Sequence, residues 1–230
     1  MHKKKIDGNY IYYNKKDTTD FYTRIRGKDY SVLRVLKDDN RSLVQLVRIN
    51  GKRYVLKVPR EKNRRKWQRF ISIFRGGESM RECNQLEKLI FNGFYAPKPF
   101  LAIEKKVFGM TVDSLSVSEY IESREGTVKD LDMICRTLDE IHAKGFLHGD
   151  SQIQNFLVAD NRIYLIDCKL SKNIYGKFGK MYEYIYLEES CLTDLKDYAD
   201  KNSFYYKTAE MLKNYLRGWM RFKKKIRNKG

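Results

Sequence analysis

Three runs of alternating apolar and polar residues open the ordered part of the chain: YSVLRVLK from Tyr30, SLVQLVRI from Ser42 and KRYVLKV from Lys52. A period of two predicts strands. Asp38-Asp39-Asn40 separates the first pair and Asn50-Gly51 the second, both turn sequences, so the three strands are expected to form an antiparallel meander. The period then lengthens. Trp67, Phe70, Ile71 and Phe74 fall at i, i+3, i+4 and i+7 in REKNRRKWQRFISIFR (60–75), an apolar stripe beside a cationic helix face that ends at Gly76-Gly77. Met80, Cys83, Leu86 and Ile90 predict a second helix, stopped by Gly93 and Pro97. Leu131, Ile134, Leu138 and Ile141 predict a third over 127–144, opened by a Thr127/Asp130 capping box. Helical pattern returns from Phe204 to the end. Residues 1–29, polar and tyrosine-rich with short β-like pieces at IYY and DFYTRI, are expected to be an extension or a partly ordered arm.

Strands first and helices after predict an α+β chain. At 230 residues it is long enough for one sizeable core or for two small lobes sharing a cleft. The expected division is an arm at 1–29, a sheet-bearing N-lobe at 30–121 and a mainly helical C-lobe at 122–230.

The second of these lobes carries the densest chemistry. IHAKGFLHGDSQIQNFLVADNRIYLID places His148-Gly149-Asp150 on a loop after a helix ending at Gly145, then Asn155 five residues beyond that Asp. A short strand, an Asp160-Asn161 turn and a second strand follow, running into Asp167. The hairpin brings Asn155 and Asp167 to one end of a small sheet, where amide and carboxylate oxygens suit Mg²⁺ between ATP phosphates. Asp150 is then placed to meet a substrate hydroxyl. Each residue alone is an ordinary turn former. Their conjunction points to phosphoryl transfer.

That reading changes the meaning of residues upstream. A lysine in a strand is ordinarily a solvated charge, but Lys57 stands on the third strand of a meander that precedes the Asp150 motif, where a kinase-like chain keeps the lysine that grips nucleotide phosphates. Glu78, Glu82 and Glu87 lie on the next helix. Glu82 has the spacing to Leu86, Gly93 and Pro97 that suits a partner orienting Lys57, although any of the three also fits a solvated face. The run through Glu119, Tyr120 and Ile121 is where lobes would connect, with the Glu119 carbonyl and Ile121 amide as backbone partners for adenine. His148 is expected to be structural, the base role falling to Asp150.

Charge adds a partner. Formal net charge is +18, which implies an anionic surface: nucleic acid, an acidic membrane or a phosphorylated glycolipid. The tail from 217 to 229 holds Arg217, Arg221, Lys223, Lys224, Lys225, Arg227 and Lys229 among Trp219, Met220, Phe222 and Ile226, with no acidic residue. Basic residues near an anionic leaflet contribute about 1 kcal/mol each. The 60–75 helix either packs on the sheet with a solvated basic side or lies against lipid headgroups. No apolar run approaches the ~18 residues of a bilayer span, and MHKKKIDGNY is followed by no apolar h-region, so neither an integral membrane protein nor a secretory signal is expected. Cys83, Cys135, Cys168 and Cys191 form no C-x-x-C pair and read as reduced thiols of a cytoplasmic protein rather than metal ligands.

With VLKV at Lys57, the basic segment after it, RE at Arg81-Glu82, EYIE at Glu119, HGDSQIQN at 148–155, IDCKLSK at 166–172 and KKKIR near the end, the chain resembles the lipopolysaccharide core heptose(II) kinase family, the WaaY type. That family lies within the larger protein-kinase-like and aminoglycoside-phosphotransferase-like group. The resemblance implies ATP- and Mg²⁺-dependent phosphorylation of a heptose hydroxyl in the inner core of a lipid A-linked oligosaccharide, at the cytoplasmic face of the inner membrane of a Gram-negative bacterium. It implies Asp150 as catalytic residue, Lys57 and Glu82 on the nucleotide, and Asn155 and Asp167 on metal. Three departures stand out. No G-x-G-x-x-G loop joins the first two strands, only LKDDNRSLV, so phosphate cover is expected from other backbone amides or from Arg41 and Ser42. Cys168-Lys169 follows the metal Asp where protein kinases have Phe-Gly, and no A-P-E comes after.

Rival readings are a kinase for another acceptor, such as Kdo, a small aminoalcohol or a protein, and an idle module binding anionic lipid or RNA. Intact Lys57, Asp150, Asn155 and Asp167 weigh against idleness. RNA has charge alone in its favour, with no recognition motif, so nucleic acid is not the expected partner.

Overall fold

A computed structural model describes residues 2–6, 8–13, 18–60 and 66–227, apart from the side chains at 13, 18, 19, 66–70 and 223–227. The chain divides into two compact units, Met1–Glu122 and Ser123–Gly230.

The first unit is built on a seven-stranded antiparallel sheet. Its strands are β1 (His2–Ile6), β2 (Asn9–Tyr13), β3 (Ser31–Asp38), β4 (Leu43–Ile49), β5 (Lys52–Val58), β6 (Pro99–Val107) and β7 (Met110–Glu119), ordered β1-β2-β6-β7-β5-β4-β3. The meander of β3, β4 and β5 pairs with the expected turns, Leu43 opposite Val58 and Ile49 opposite Lys52. Asn50 and Gly51 both take positive φ (49° and 74°), the conformation a two-residue hairpin requires.

The amino-terminal residues differ from the sequence expectation in part: IYY is a strand, as expected, but DFYTRI lies in a helix. They are no loose arm: β2 pairs along β6, with Ile11 opposite Ile103, and helix α1 (Thr18–Gly27) sets Tyr22 and Ile25 into the core with Ile11, Val47, Ile49, Leu56, Leu101 and Val117. Asn9, buried, donates to the Tyr22 hydroxyl at 3.3 Å.

Helix α2 (Lys66–Arg75) and helix α3 (Glu78–Phe91) follow β5. In α2 the side chains of Trp67 and Phe70 lie outside the described residues. Of the other stripe members, Phe74 is 77% exposed. Among the described side chains of α2 the buried one is Ser72, whose hydroxyl accepts the Thr111 N–H at 2.7 Å, so a polar contact helps seat this helix on β7. In α3 the buried row is Ser79, Cys83, Leu86 and Leu89, while Ile90 is exposed. The expected stripe is therefore out of phase by one residue at each end, Ser79 being buried in place of Met80 and Leu89 in place of Ile90. Gly93, at φ +82°, closes α3, and Phe94 donates back to the Leu89 carbonyl at 3.0 Å.

The second unit is mainly helical. Helix α4 (Leu131–Ala143) buries Leu131, Ile134, Leu138 and Ile141, as its period predicts. Before it, Asp130 accepts the Thr127 N–H (2.9 Å) and hydroxyl (2.8 Å) and both guanidinium nitrogens of Arg124 (2.6 and 2.7 Å). That guanidinium, with the Thr127 donors, holds the Asp130 carboxyl well below the usual range. Short strands β8 (Arg124–Glu125), β10 (Phe156–Ala159) and β11 (Arg162–Leu165) form one antiparallel sheet, and β9 (Phe146–Leu147) pairs with β12 (Ser171–Lys172). Helices α5 (Lys177–Cys191) and α6 (Phe204–Arg227) pack on one another and complete the unit.

Candidate active site

In the first unit, register explains how Lys57 meets its partner. Lys57 on β5 stands opposite Ser116 on β7, and α3 packs across β6 and β7. Lys57 Nζ donates to Glu82 Oε1 at 2.8 Å, and the Ser116 hydroxyl donates to Glu82 Oε2 at 3.2 Å. Both oxygens of Glu82 are thus held from the sheet, with the ammonium and carboxylate each about three-quarters buried. Sequence reasoning missed Ser116; its only signal is the cross-strand pairing, which the local pattern does not carry.

Glu119 ends β7 opposite Tyr54. Its N–H donates to the Lys98 carbonyl at 2.8 Å and its carboxylate accepts the Lys98 N–H at 3.2 Å. Ile121 follows, half-buried. The segment is tied to β5 by Arg53, which pairs with Glu122 at 2.7 Å and lies 5.0 Å from the Tyr120 ring centre.

The β3–β4 turn departs from expectation. Asp39 Oδ1 accepts the backbone N–H groups of Arg41 (2.8 Å) and Ser42 (2.7 Å), and those bonds hold its carboxyl below the ordinary value. Amides already committed to a carboxylate are not donors for phosphate, so Ser42 drops out of that role; it is also buried. Arg41 keeps an exposed side chain.

In the second unit the loop after β9 is assembled around one carboxylate. Glu183, buried on α5, accepts the N–H of His148 at 3.0 Å through Oε2 and of Gly149 at 2.5 Å through Oε1. His142 Nε2 lies 2.9 Å from Oε2; a carboxylate accepts, so His142 presents its Nε2–H. The Glu183 carbonyl takes the Ser151 hydroxyl at 2.7 Å. Gly149 sits at φ +85°, and a Cβ there would meet the Lys169 side chain at 3.1 Å, so two constraints favour glycine in this turn.

Asp150 emerges from that loop half-buried, its Oδ1 accepting Gln152 Nε2 at 2.9 Å. Asn155 Nδ2 donates to the Asp150 carbonyl at 2.8 Å, and the Asn155 carbonyl accepts the Ile166 N–H at 3.1 Å. Asp160 and Asn161 turn the chain at φ 49° and 55°. Asp167 follows at φ +50°, exposed, and this left-handed residue re-aims the chain after β11. The structure therefore gathers Lys57 with Glu82 in one unit, and Asp150, Asn155 and the strand end carrying Asp167 in the other.

For Mg²⁺ the donor set fits. The Asn155 amide nitrogen is spent on Asp150, which leaves its oxygen as the acceptor, and one carboxylate plus one amide oxygen is the sparse, hard set that Mg²⁺ takes alongside substrate phosphates.

His148 is fully buried; its Nε2 has no hydrogen-bond partner among the described residues, and its ring lies 4.9 Å from Phe156. Burial pushes its pKa down to about 4, so it is neutral at pH 7 and serves the loop by packing. A histidine whose folded pKa lies below its unfolded value contributes stability that is complete above the unfolded pKa and is lost as pH falls. For His148 that is about 3 kcal/mol lost between roughly pH 6.5 and pH 4. Urea unfolding at pH 7 and pH 4.5 should show this acid loss reduced in His148→Gln; the same loss in both proteins would refute it.

A family model described as lipopolysaccharide core biosynthesis protein (WaaY) matches residues 1–226. The chain belongs to the WaaY family. Among relatives of this WaaY-family chain, the Escherichia coli protein named lipopolysaccharide core heptose(II) kinase WaaY is 25% identical over 169 residues, covering 68% of this chain and 72% of that protein. WaaP, solved in complex with acyl carrier protein, matches at a TM-score of 0.54 and 14% identity, over 90% of this chain and 88% of WaaP. The kinase domain of Mycobacterium tuberculosis PknI matches at a TM-score of 0.44 and 15% identity, over 69% of this chain and 71% of its own. The WaaY-family fold here is α+β and protein-kinase-like.

Proposed function

We propose that this chain phosphorylates a hydroxyl of the second heptose (HepII) in the lipopolysaccharide inner core. The protein is an ATP-dependent phosphotransferase with an alcohol group as acceptor. The observation that carries the reading is the Asp150 loop, whose backbone is fastened to Glu183 and Asn155 while the half-buried carboxylate takes one side-chain hydrogen bond, from Gln152. The name of the E. coli relative supplies the heptose.

In this mechanism Asp150 accepts the proton of the attacking heptose hydroxyl. Its Oδ1 is steadied by Gln152, and the oxygen–phosphorus bond to the γ-phosphate forms as the bond to the ADP oxygen breaks. Lys57, oriented by Glu82, contacts the α- and β-phosphates, and the Glu119 carbonyl and Ile121 amide serve adenine. Asn155 and Asp167 would hold Mg²⁺, which would supply positive charge to offset the negative charge developing on the transferring phosphoryl group.

Basic, apolar-faced segments support work at an anionic membrane surface on the cytoplasmic side of the inner membrane. Helix α6 exposes Met211, Tyr215, Trp219, Met220 and Phe222 beside Arg221, and α2 exposes Phe74. The side chains of the 223–225 lysines lie outside the described residues. Among the described residues no helix is long and apolar enough to cross a membrane.

Transfer of label from γ-labelled ATP to core acceptors with and without the second heptose tests the substrate. Label should appear only on the acceptor that carries it. Equal labelling of the acceptor lacking it would move the function to another hydroxyl, Kdo included.

A further inference from the structure

Against Asp150 the second unit holds a half-open pocket of about 540 Å³, most of whose lining has no part in the phosphoryl-transfer roles assigned above. This is within the ~300–1,000 Å³ of small-molecule sites. Asp150 and Lys169 line one side, and the other is a row of aromatic rings, Phe178, Tyr182 and Tyr186, closed by Leu212 of α6. The row is a consequence of helix geometry: positions i, i+4 and i+8 of α5 share a face. Gly179, next to the first ring, lets the helix approach β9, since a Cβ there would meet Leu147 at 3.1 Å and the Asn173 side-chain oxygen at 2.8 Å.

The rings form a nearly continuous surface. Phe178 and Tyr182 lie 6.2 Å apart at 22°, and Tyr182 and Tyr186 5.1 Å apart at 44°, with their hydroxyls 3.5 Å from one another. The last ring is fixed from outside by Lys213, whose ammonium lies 4.6 Å from its centre and is paired with Glu189 at 2.5 Å. The half-buried faces of Phe178 and Tyr182 are left toward the cavity side.

We propose that this row seats the acceptor sugar by its C–H face, and that Lys169 meets an anionic substituent on that sugar or on its neighbour. The proposal rests on the heptose-kinase reading and deepens it. A pyranose ring has one apolar C–H face and a polar rim, which suits rings on one wall with phenol hydroxyls, a carboxylate and an ammonium on the others. An acyl chain suits it less, because a dry chain would leave the remaining hydrogen-bonding capacity of Asp150, Lys169 and the two phenols unused beyond their single protein contacts. Lys169 spends one of its three N–H donors on the Gly149 carbonyl at 3.3 Å, which holds the ammonium beside Asp150 and keeps donors for an anion.

The test is steady-state transfer from γ-labelled ATP to delipidated core oligosaccharide carrying the second heptose, with Phe178→Ala, Tyr182→Ala, Tyr182→Phe and Lys169→Gln. Each alanine variant should raise the KM for oligosaccharide about five- to tenfold and leave the KM for ATP unchanged. Tyr182→Phe, which keeps the ring and loses the phenol, should fall between the native and alanine values, and Lys169→Gln should weaken a phosphorylated oligosaccharide more than its phosphatase-treated form. Melting curves monitor folding, and Tyr182→Leu gives a second ring-less variant if the alanine form melts early. If the native protein labels oligosaccharide while ring-less variants with native melting keep the native acceptor KM, the platform is wrong and the heptose-kinase reading stands. A native protein that labels no core acceptor would overturn both.

Discussion

Asp150→Asn should lower kcat by about 10²- to 10⁴-fold, the range a positioned general base contributes, while ATP binding persists. The substitution is nearly isosteric, so the loop that Glu183 holds through His148 and Gly149 is not disturbed. Gln152 Nε2 keeps an oxygen to donate to after a flip of the new amide. What is lost is the carboxylate that takes the proton. The KM for ATP should change little, because the phosphates and metal are assigned to Lys57, Asn155 and Asp167, and Asn155 reaches Asp150 only through its backbone carbonyl. Single-turnover transfer and a separate nucleotide-binding titration distinguish the two effects. A variant that turns over at the native rate would remove Asp150 from the mechanism, and with it the reading of the whole 148–167 stretch. A variant that loses ATP binding as well would mean that Asp150 helps hold the nucleotide.

What the sequence made legible was set by how local the determining contacts are. The β3–β5 meander and helix α4 announce themselves because their periods and turns lie within a few residues of one another. The amino-terminal strands do so only in part: IYY has strand propensity, but the partner of Ile11 is Ile103, far along the chain, so nothing local says that this short run joins the main sheet. In α3 the apolar residues Leu89 and Ile90 are adjacent, so the period alone does not say which is turned inward; packing against β6 buries Leu89. Helix α2 was harder, since its described contact with β7 is the hydroxyl of Ser72 rather than a stripe of large apolar groups. At the candidate site the short-range motif gave Asp150, Asn155 and Asp167, whereas Ser116 and Glu183 depend on a strand register and a helix phase that aromatic residues on both sides of α5 conceal. Gly179, Glu183 and Leu187 form its buried row, and Phe178, Tyr182 and Tyr186 the adjacent one. A single carboxylate at every-fourth spacing with Gly179 and Leu187 was the signal available.

Glu183→Ala should cost about 3–5 kcal/mol of stability and lower the melting temperature by on the order of 10 °C. The loss has identifiable parts. The carboxylate accepts two backbone N–H groups, from His148 at 3.0 Å and Gly149 at 2.5 Å, and the Nε2–H of His142 at 2.9 Å. Glu183 and both histidines are buried, so bulk solvent does not stand in for the oxygen lost by the His148 amide and His142, whereas Gly149 is exposed; an unsatisfied buried donor costs about 1–3 kcal/mol. Glu183→Gln separates packing from charge. One side-chain oxygen remains for one amide, but the other position becomes an NH₂ group facing a second N–H donor, and rotation only exchanges which amide is opposed. His142 can adapt by changing tautomer; the His148 and Gly149 amides have no such freedom. The glutamine variant should therefore melt between native and alanine forms, yet lose turnover by about 10²-fold, the scale of a misplacement of roughly 1 Å, because the opposed amides belong to the two residues that carry Asp150. The KM for ATP should change less than kcat, since Lys57 and Glu82 belong to the other unit and Asn155 meets the Asp150 loop through one backbone carbonyl. A Glu183→Gln protein with native melting and native turnover would show that the loop holds its shape without this carboxylate. Reduced melting with unchanged turnover would make Glu183 structural alone.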